Sequence, residues 1–455
     1  MARASPGRTW KVAPRRARAR RETSSRRRAG AGHTLEQRVL LTATMCLMAF
    51  GAVMVYSASS ATTVLQGGGY GSSYLLKFVV FGAIGLVLMR VLARDGVAKV
   101  HMITAPLLFA SLALVLAVHI PHVGVSVNGA RRWIGPGVLQ FQPSELLKLA
   151  LVMYAATLLA RRPTSVASVR ELARPLLLVV AGACLLVVSQ PDLGTAMVIV
   201  FTIGAMLVAA GIPPRKLGAL AAGVLAVVLL YAIVKPYARA RLTSFLDPWA
   251  HANSSGFQAV QGQIAIGSGG LLGTGPGQSV QKMFYLPEAP TDFILAVVAE
   301  ELGVVGVSAL LFLYGLIAWA GLRAAKRAHS LYSALIAIGM TTLIVSQAIL
   351  NAFAVLGLAP LTGVPLPLVS YGSSSLVVML AAMGLLLNVA GGATGHVRAV
   401  SAPRARARAR SQGDTRAKET ARLARERAAE EDRDRRRRDG GSRGARARGR
   451  GRAAS

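Results

Sequence analysis

The chain has few cysteines and, through its central region, few acidic residues. Its two cysteines, Cys46 and Cys184, both lie in apolar stretches. They cannot make a disulfide framework, and we expect both to be small buried side chains. Between Arg38 and Arg398 the sequence has only nine acidic residues. A soluble domain of this length carries far more charge, so an ordinary soluble enzyme is excluded.

Positive charge is concentrated at the two ends of the chain. The net charge is +33 although 53% of the residues are hydrophobic. We expect residues 1–37 and 393–455 to be disordered basic tails in the cytoplasm, because arginine-rich runs cannot bury a core. Anionic lipid headgroups are their expected partner. Nucleic acid is not expected, because the arginine runs contain no interleaved aromatic residues.

Long apolar runs fill the middle of the chain. Each has about twenty residues, which is enough for an α-helix to cross a bilayer. We therefore predict an all-α polytopic membrane protein with ten membrane-spanning helices within residues 38–392. The first forty residues lack the apolar core of a cleavable signal, so the first span should be an uncleaved anchor. The predicted spans are 38–58, 75–93, 101–120, 143–160, 175–190, 194–211, 216–234, 291–320, 331–358 and 366–392.

The basic residues of the short loops predict the orientation of these spans. With the amino terminus in the cytoplasm, most of them fall on the inner side, as the positive-inside rule requires. Both termini are then cytoplasmic, and residues 235–290 form one large extracytoplasmic loop. Six basic residues fall on the outer side and need another reason, and these are Arg131, Arg132, Lys235, Arg239, Arg241 and Lys282.

The large outer loop is rich in glycine between Gly267 and Gly277. One interpretation is a flexible re-entrant loop. The other is a loop whose backbone approaches a substrate closely, because glycine allows such an approach. Charged residues on both sides of the glycines favour the second interpretation slightly.

Acidic residues gather where the eighth apolar run begins. The stretch Y-L-P-E-A-P-T-D contains Glu288 and Asp292, and Glu300 and Glu301 follow inside the run. Ionisable side chains at membrane depth are functional candidates by default. Either of the last two glutamates has an alternative role as the structural partner of a buried Arg, Lys or Ser. We assign possible intramembrane support to four side chains, which are Glu300, Glu301, Gln347 and Ser370.

Basic residues are expected close to these acids. Arg131 and Arg132 depart from the positive-inside rule, so we expect them to face an anionic partner, and guanidinium groups grip phosphate bidentately. Glu145 and Lys148 are three residues apart and share a helix face. For them a local ion pair is the alternative to substrate binding. A carboxylate beside cations at the membrane edge is suited to general-base transfer from a lipid-linked phosphate or diphosphate.

Eight motifs occur in one order across residues 38–392. They are N-G-A-R-R-W-I, Q-P-S-E-L-L-K-L-A, Q-P-D-L-G-T, F-L-D-P-W, A-I-G-S-G-G-L-L-G-T-G, Y-L-P-E-A-P-T-D-F-I, A-E-E-L-G and G-V-P-L-P-L-V-S-Y-G. This set resembles the SEDS family, whose branches are FtsW, RodA and SpoVE. The form Q-K-M-F-Y-L-P-E-A and the basic tails look closest to the cell-division branch, FtsW.

The resemblance implies a peptidoglycan glycosyltransferase in the bacterial cytoplasmic membrane. Such a protein polymerises lipid II into β-1,4-linked strands on the outer face, during septal synthesis. The implied partners are lipid II, a class B penicillin-binding protein of the FtsI type and other divisome proteins. The rivals are a lipid II flippase and a non-catalytic divisome scaffold that activates a penicillin-binding protein.

The resemblance also implies roles for individual residues. The family's essential aspartate follows P-E-A-x-T, which makes Asp292 the catalytic candidate. Pro290 stands where the family usually has histidine, and we expect Thr291 after it to cap the helix. No cofactor is required by any residue set, although a divalent cation, Mg²⁺ or Mn²⁺, could neutralise part of a diphosphate. Substrate or diphosphate binding is implied for Arg131, Arg132, Glu145, Lys148, Lys282 and Glu288.

Overall fold

The computed structural model describes residues 33–65, 72–127, 130–136, 140–161, 173–283 and 285–392. The predicted basic tails, 1–37 and 393–455, therefore lie outside the described residues, apart from residues 33–37. In the described part the first helix already begins at Leu35.

The described residues form eleven α-helices, a short π-helix and one β-hairpin. The π-helix, Ala173–Leu177, leads directly into the α-helix that begins at Leu178. The hairpin, β1 and β2, was not predicted from the sequence. In chain order the elements are α1 Leu35–Leu65, α2 Ser73–Ala117, β1 Gly124–Val127, β2 Ala130–Ile134, α3 Pro143–Arg161, α4 Leu178–Ser189, α5 Leu193–Ala209, α6 Pro214–Val234, α7 Pro236–Leu246, α8 Phe257–Gly269, α9 Ile294–Arg327, α10 Leu331–Val355 and α11 Ser373–Ala390.

Ten apolar helical segments lie at the positions of the ten predicted spans. Eight are long and apolar enough to cross a membrane by length and composition, and two shorter apolar helices, Pro175–Ser189 and Leu193–Ala209, supply the fifth and sixth. The polytopic all-α prediction is thereby confirmed. The starts of three spans differ most: the first begins at Leu35 instead of 38, the eighth at Ile294 instead of 291, and the last at Ser373 instead of 366.

The second and third spans are joined within the single helix α2. Asn388 of α11 inserts its side chain where they meet. The Val97 N–H donates to Asn388 Oδ1 at 3.2 Å, and Asn388 Nδ2 donates to the carbonyls of Ala93 and Arg94, both at 2.8 Å. A side chain inserted into the helical hydrogen-bond ladder is an established cause of a kink. The apolar segments on either side are Ser73–Arg94 and Lys99–Ala117.

Burial separates the helices into a core and a periphery. Helices α3, α10 and α11 are mostly buried, whereas α6 has no buried side chain. Apolar side chains on the outer surface of such a bundle face the lipid in a bilayer. Cys46 belongs to this surface of α1 and is exposed, so its predicted burial is wrong, and Cys184 is half-buried.

The glycine-rich loop after α8 packs against an interruption in α9. Gly303 has φ 65° and ψ −162°, which break the helix. The freed N–H groups of Val304 and Val305 donate to loop carbonyls at 3.1 and 3.3 Å. In return, the N–H groups of Thr274 and Gly275 donate to α9 carbonyls at 2.9 and 3.1 Å. The close backbone approach that the glycines predict is therefore made to α9.

Replacing Gly273 with alanine should destabilise this contact more than the same change at Gly277. Both residues have positive φ, 82° and 81°, so each substitution costs about 1–2 kcal/mol of backbone strain. A Cβ on Gly273 would lie 2.2 Å from the carbonyl oxygen of Glu301, whereas one on Gly277 has nothing within 4 Å. The clash should add about 1–3 kcal/mol. Melting temperatures in detergent measure the difference, and equal losses would show that this packing is absent.

Candidate active site

Asp292 lies two residues before α9, at one end of the apolar bundle. Thr291 Oγ1 is 2.9 Å from Asp292 Oδ1 and 2.8 Å from Glu288 Oε2. One hydroxyl thus links two carboxylates and donates to one of them at a time. The expected cap is not formed, because α9 begins at Ile294 with Phe293 as its N-cap residue. Thr291 instead holds the Asp292 carboxylate in place.

The surroundings of Asp292 make it a stronger base than an ordinary aspartate. Burial, and next the negative charge of Glu288, raise the pKa of Asp292 to about 6. The hydrogen bond from Thr291 and the positive charge of Arg241 act in the opposite direction. A carboxylate with a pKa near 6 is still largely ionised at neutral pH and accepts a proton more readily than one near 4.

The two arginines of the β-hairpin differ in exposure, and they lie where the register of the two strands shifts. Arg131 is exposed and Arg132 is half-buried. Arg132 Nε donates to the carbonyl of Gln190 at 3.0 Å, and Nη2 donates to the carbonyl of Pro191. Its Nη1 has no hydrogen-bond partner among the described residues. The structure therefore places Arg132, but not Arg131, towards Asp292.

Gly363 marks the space between Arg132 and Asp292. A Cβ on this glycine would lie 3.5 Å from Asp292 Oδ2 and 4.0 Å from Arg132 Nη1. Gly363 is exposed and has a φ of 66°, a conformation that glycine adopts without strain. Because residue 363 has no side chain, the space between the Asp292 carboxylate and the Arg132 guanidinium stays open.

A fourth charged residue of this cluster, Arg241 of α7, was not among the predicted site residues. It interacts electrostatically with Asp292, Asp192 and Arg132, and it stacks over the Tyr237 ring at 4.7 Å. The sequence contained one signal for it, since Arg241 departs from the positive-inside rule. Nothing in the spacing of the motifs showed that α7 would bring it to Asp292.

Three side chains from two helices, α7 and α10, hold the segment 361–365, which carries Gly363. Arg241, Asn351 and Gln347 donate to backbone carbonyls of this segment at 2.7, 2.8 and 3.0 Å. Asn351 also donates to the carbonyl of Asp292 at 2.7 Å. The position of the base is therefore tied to a segment that α7 and α10 fix together.

Glu145 and Lys148 are buried in the bundle, and each is only 1% exposed. Lys148 Nζ donates to Glu145 Oε1 at 2.9 Å and to Gln347 Oε1 at 2.6 Å. The second oxygen of Glu145 has no partner within the part of the chain that the structure describes. This arrangement favours the ion pair that the sequence left open over direct contact with a substrate.

Lys282, Glu300 and Glu301 hold the glycine-rich loop. Lys282 Nζ donates to Glu301 Oε1 at 2.7 Å, and both residues are buried. Glu301 also accepts from Ser57 Oγ at 2.6 Å. Glu300 accepts from the hydroxyl of Ser279 and from backbone N–H groups of the loop. These contacts favour the structural role for both glutamates. Lys282 is paired with Glu301 and is not part of the cluster around Asp292.

From the sequence, Ser370 has a predicted supporting role and a metal ion is possible at this site. Ser370 accepts a hydrogen bond from the Leu366 N–H at 2.8 Å, so it orders the segment before α11. In the described ranges no group of three or more His, Cys, Asp or Glu side chains is placed to hold a metal ion. Among the residues predicted to form the site, the structure brings three close together, and these are Asp292, Glu288 and Arg132.

The family model for the cell cycle proteins FtsW, RodA and SpoVE matches residues 37–394. This chain belongs to the FtsW/RodA/SpoVE family. The match begins at Gln37, in the first turn of α1, and extends past the end of α11, so the family assignment applies to all eleven helices.

Curated members of the family are similar over most of their own length. Stage V sporulation protein E of Bacillus subtilis is 38% identical over 353 residues, which cover 77% of this chain and 96% of that protein. The probable peptidoglycan glycosyltransferase FtsW of Geobacter sulfurreducens is 39% identical, with 77% and 94% covered. That of Coxiella burnetii is 40% identical, with 76% and 94% covered.

Solved structures of the family show the same fold. One, described as "Structural coordination of polymerization and crosslinking by a peptidoglycan synthase complex", has a TM-score of 0.64 at 33% identity and covers 77% of this chain and 96% of its own. The rod shape determining protein RodA of Thermus thermophilus has a TM-score of 0.57 at 32% identity, with 77% and 95% covered. This member of the FtsW/RodA/SpoVE family is thus a multi-pass membrane protein of the RodA type.

Proposed function

We propose that this chain is a peptidoglycan glycosyltransferase that polymerises lipid II. The observation that carries the proposal is the placement of a raised-pKa carboxylate, Asp292, beside two guanidinium groups at one end of an apolar bundle. A lipid-linked substrate keeps its chain in the bilayer while its sugars and diphosphate reach this end. The names of the curated relatives support the same activity.

The proposed reaction is an inverting displacement with Asp292 as general base. Asp292 takes the proton from the 4-hydroxyl of the acceptor's N-acetylglucosamine as that oxygen attacks C1 of the donor's N-acetylmuramic acid. The C1–O bond to the diphosphate breaks, and its electron pair leaves with undecaprenyl diphosphate. The α-linkage is thereby replaced by a β-1,4 bond. Arg132 supplies positive charge to the diphosphate, as preorganised cations do at a developing anion.

Glu288 acts on the base in this proposal rather than on the diphosphate. Its negative charge raises the pKa of Asp292, and an anion repels a phosphate. Arg131, which is exposed, remains available to the headgroup of a neighbouring lipid. Glu145, Lys148 and Lys282 support the site from buried ion pairs.

The proposed setting is the bacterial cytoplasmic membrane at the division septum, with both termini in the cytoplasm. The inner-loop basic residues support this orientation, and it places Asp292 on the outer face. A class B penicillin-binding protein of the FtsI type is the proposed partner, which would cross-link the strands that this chain polymerises. Resemblance to FtsW relatives supports the septal setting.

The proposal is tested with purified full-length protein, its cognate penicillin-binding protein with a blocked transpeptidase, and lipid II in detergent. Polymer on a gel is the expected result. The rival flippase would give no polymer under these conditions but would move lipid II across liposomes. The scaffold rival predicts that polymer forms equally well when Asp292 is replaced.

The fall of the polymerisation rate at low pH measures the ionisation of the general base, Asp292. Because Asp292 must be ionised, the polymerisation rate should fall about tenfold per pH unit below pH 6, where the pKa of Asp292 lies. Glu288→Gln removes a charge that raises this pKa, so the fall should move to lower pH. Thr291→Val removes a hydrogen bond that lowers it, so the fall should move to higher pH. Identical profiles for all three proteins would contradict the assignment of Asp292.

A further inference from the structure

Arg241 has hydrogen-bonding capacity that the fold does not use. Its Nη1 donates to the carbonyl of Leu361 at 2.7 Å. The remaining Arg241 nitrogens, like Arg132 Nη1, have no hydrogen-bond partner among the described residues. Asp192 does not neutralise either arginine by direct contact, since its oxygens accept from the Thr195 N–H and from Gln142 Nε2, both at 3.1 Å. Arg241 and Arg132 thus both have unused donors, and Arg241 is close enough to Arg132 and Asp292 to interact electrostatically with both.

A cavity beside Arg241 lies between α7, α8 and the end of α10, and Asp292 is not one of its lining residues. Polar groups line it, including the paired hydroxyls of Ser244 and Ser255 and the amide of Gln263. Gly357 also lines this cavity, and a Cβ there would lie 2.8 Å from Gln263 Nε2, so a larger residue would displace that amide. The cavity has a volume of about 20 Å³, which is enough for about one ordered water molecule beside the guanidinium.

We propose that Arg241 is a diphosphate-binding residue, which with Arg132 holds the leaving diphosphate of the donor glycan strand. The proposal rests on the proposed function for the identity of the ligand. As the 4-oxygen of the acceptor attacks, the C1–O bond breaks and its electron pair passes to the diphosphate oxygen. The proton goes to Asp292, and the new negative charge faces Arg241 and Arg132. Two arginines suit this ligand, because a guanidinium binds phosphate oxygens bidentately.

The alternative is that Arg241 acts only by holding the Leu361 carbonyl. A positioning role of that kind would change catalysis without changing affinity for a diphosphate. Direct binding therefore separates the two, and it needs no turnover. Arg239 offers a matched control, since it lies on the same helix, two residues away, and is exposed.

The experiment measures the binding of farnesyl diphosphate to the full-length protein in detergent, with farnesyl monophosphate as comparison. Arg241→Gln should weaken diphosphate binding about 10- to 100-fold, the usual loss for hydrogen bonds to charged groups. Arg239→Gln should leave it unchanged, and the monophosphate should lose less. Arg241→Lys, which keeps the charge, should lie between wild type and Arg241→Gln, and it replaces that variant if Arg241→Gln does not fold.

Equal diphosphate affinity in wild type and in the folded Arg241 variants would overturn the inference. If wild type polymerises lipid II at the same time, the proposed function stands without it. If diphosphate binding depends on Arg241 but wild type makes no polymer, the diphosphate site stands and the proposed glycosyltransferase activity is wrong. Asp292→Asn should bind farnesyl diphosphate at least as well as wild type, because it removes a negative charge beside the site.

Discussion

Asp292→Asn should lower the rate of lipid II polymerisation by about 10²- to 10⁴-fold, the usual contribution of a general base. Asparagine has nearly the same shape and still accepts the hydrogen bond from Thr291, which lies 2.9 Å from Asp292 Oδ1. It cannot take a proton from a sugar hydroxyl at any accessible pH. The loss should therefore appear in turnover, with no change in the gel-filtration profile of the protein.

Asp247→Asn is the matched control for this prediction. Asp247 is exposed at the end of α7, and its Oδ1 accepts from the Ala250 N–H at 3.0 Å. Its replacement should leave polymerisation near the wild-type rate. Full activity in Asp292→Asn would remove this residue from the mechanism and make Glu288, across the Thr291 hydroxyl, the next carboxylate to replace.

The fold was predictable because a helix that crosses a bilayer requires a long apolar run, which can be recognised in the sequence without knowledge of tertiary contacts. A run of about twenty apolar residues forms a helix whatever its neighbours are. The exceptions are places where a distant residue decides the backbone. Asn388 binds the α2 backbone from 291 positions away in sequence, and the start of α9 depends on the loop before it. The hairpin has only nine residues in its strands, too few for a distinctive pattern.

The candidate site was only partly predictable. The sequence indicates which charged residues lie on the same side of the membrane, but it does not show which of them lie close to one another. Asp292, Glu288 and Arg132 do meet. Lys282, predicted on the same side, is instead bound to Glu301 at 2.7 Å, a pairing that requires knowledge of how the glycine-rich loop folds back. Arg241 reaches Asp292 only because α7 crosses next to segment 361–365, and short helices in a long loop have no apolar period from which to place them.

The buried pair of Glu145 and Lys148 carries the second large prediction. Lys148→Met should cost about 3–5 kcal/mol of stability, because it leaves the Glu145 carboxylate as an uncompensated buried charge. The change should appear as a lower melting temperature in detergent and lower yield. Adding Glu145→Gln should restore most of the stability, since a buried pair replaced on both sides is often nearly neutral.

Activity should not return with stability in the double variant. Lys148 Nζ donates to Gln347 Oε1 at 2.6 Å, and Gln347 Nε2 in turn donates to the Pro365 carbonyl at 3.0 Å. Removing the lysine frees that amide to turn, and with it the segment that carries Gly363 beside Asp292. A substrate-binding lysine would behave in the opposite way. Lys148→Met would then keep its melting temperature and lose affinity for lipid II, and adding Glu145→Gln would change neither. Melting temperature and the KM for lipid II, measured on the same three proteins, therefore decide between the two interpretations that the sequence left open.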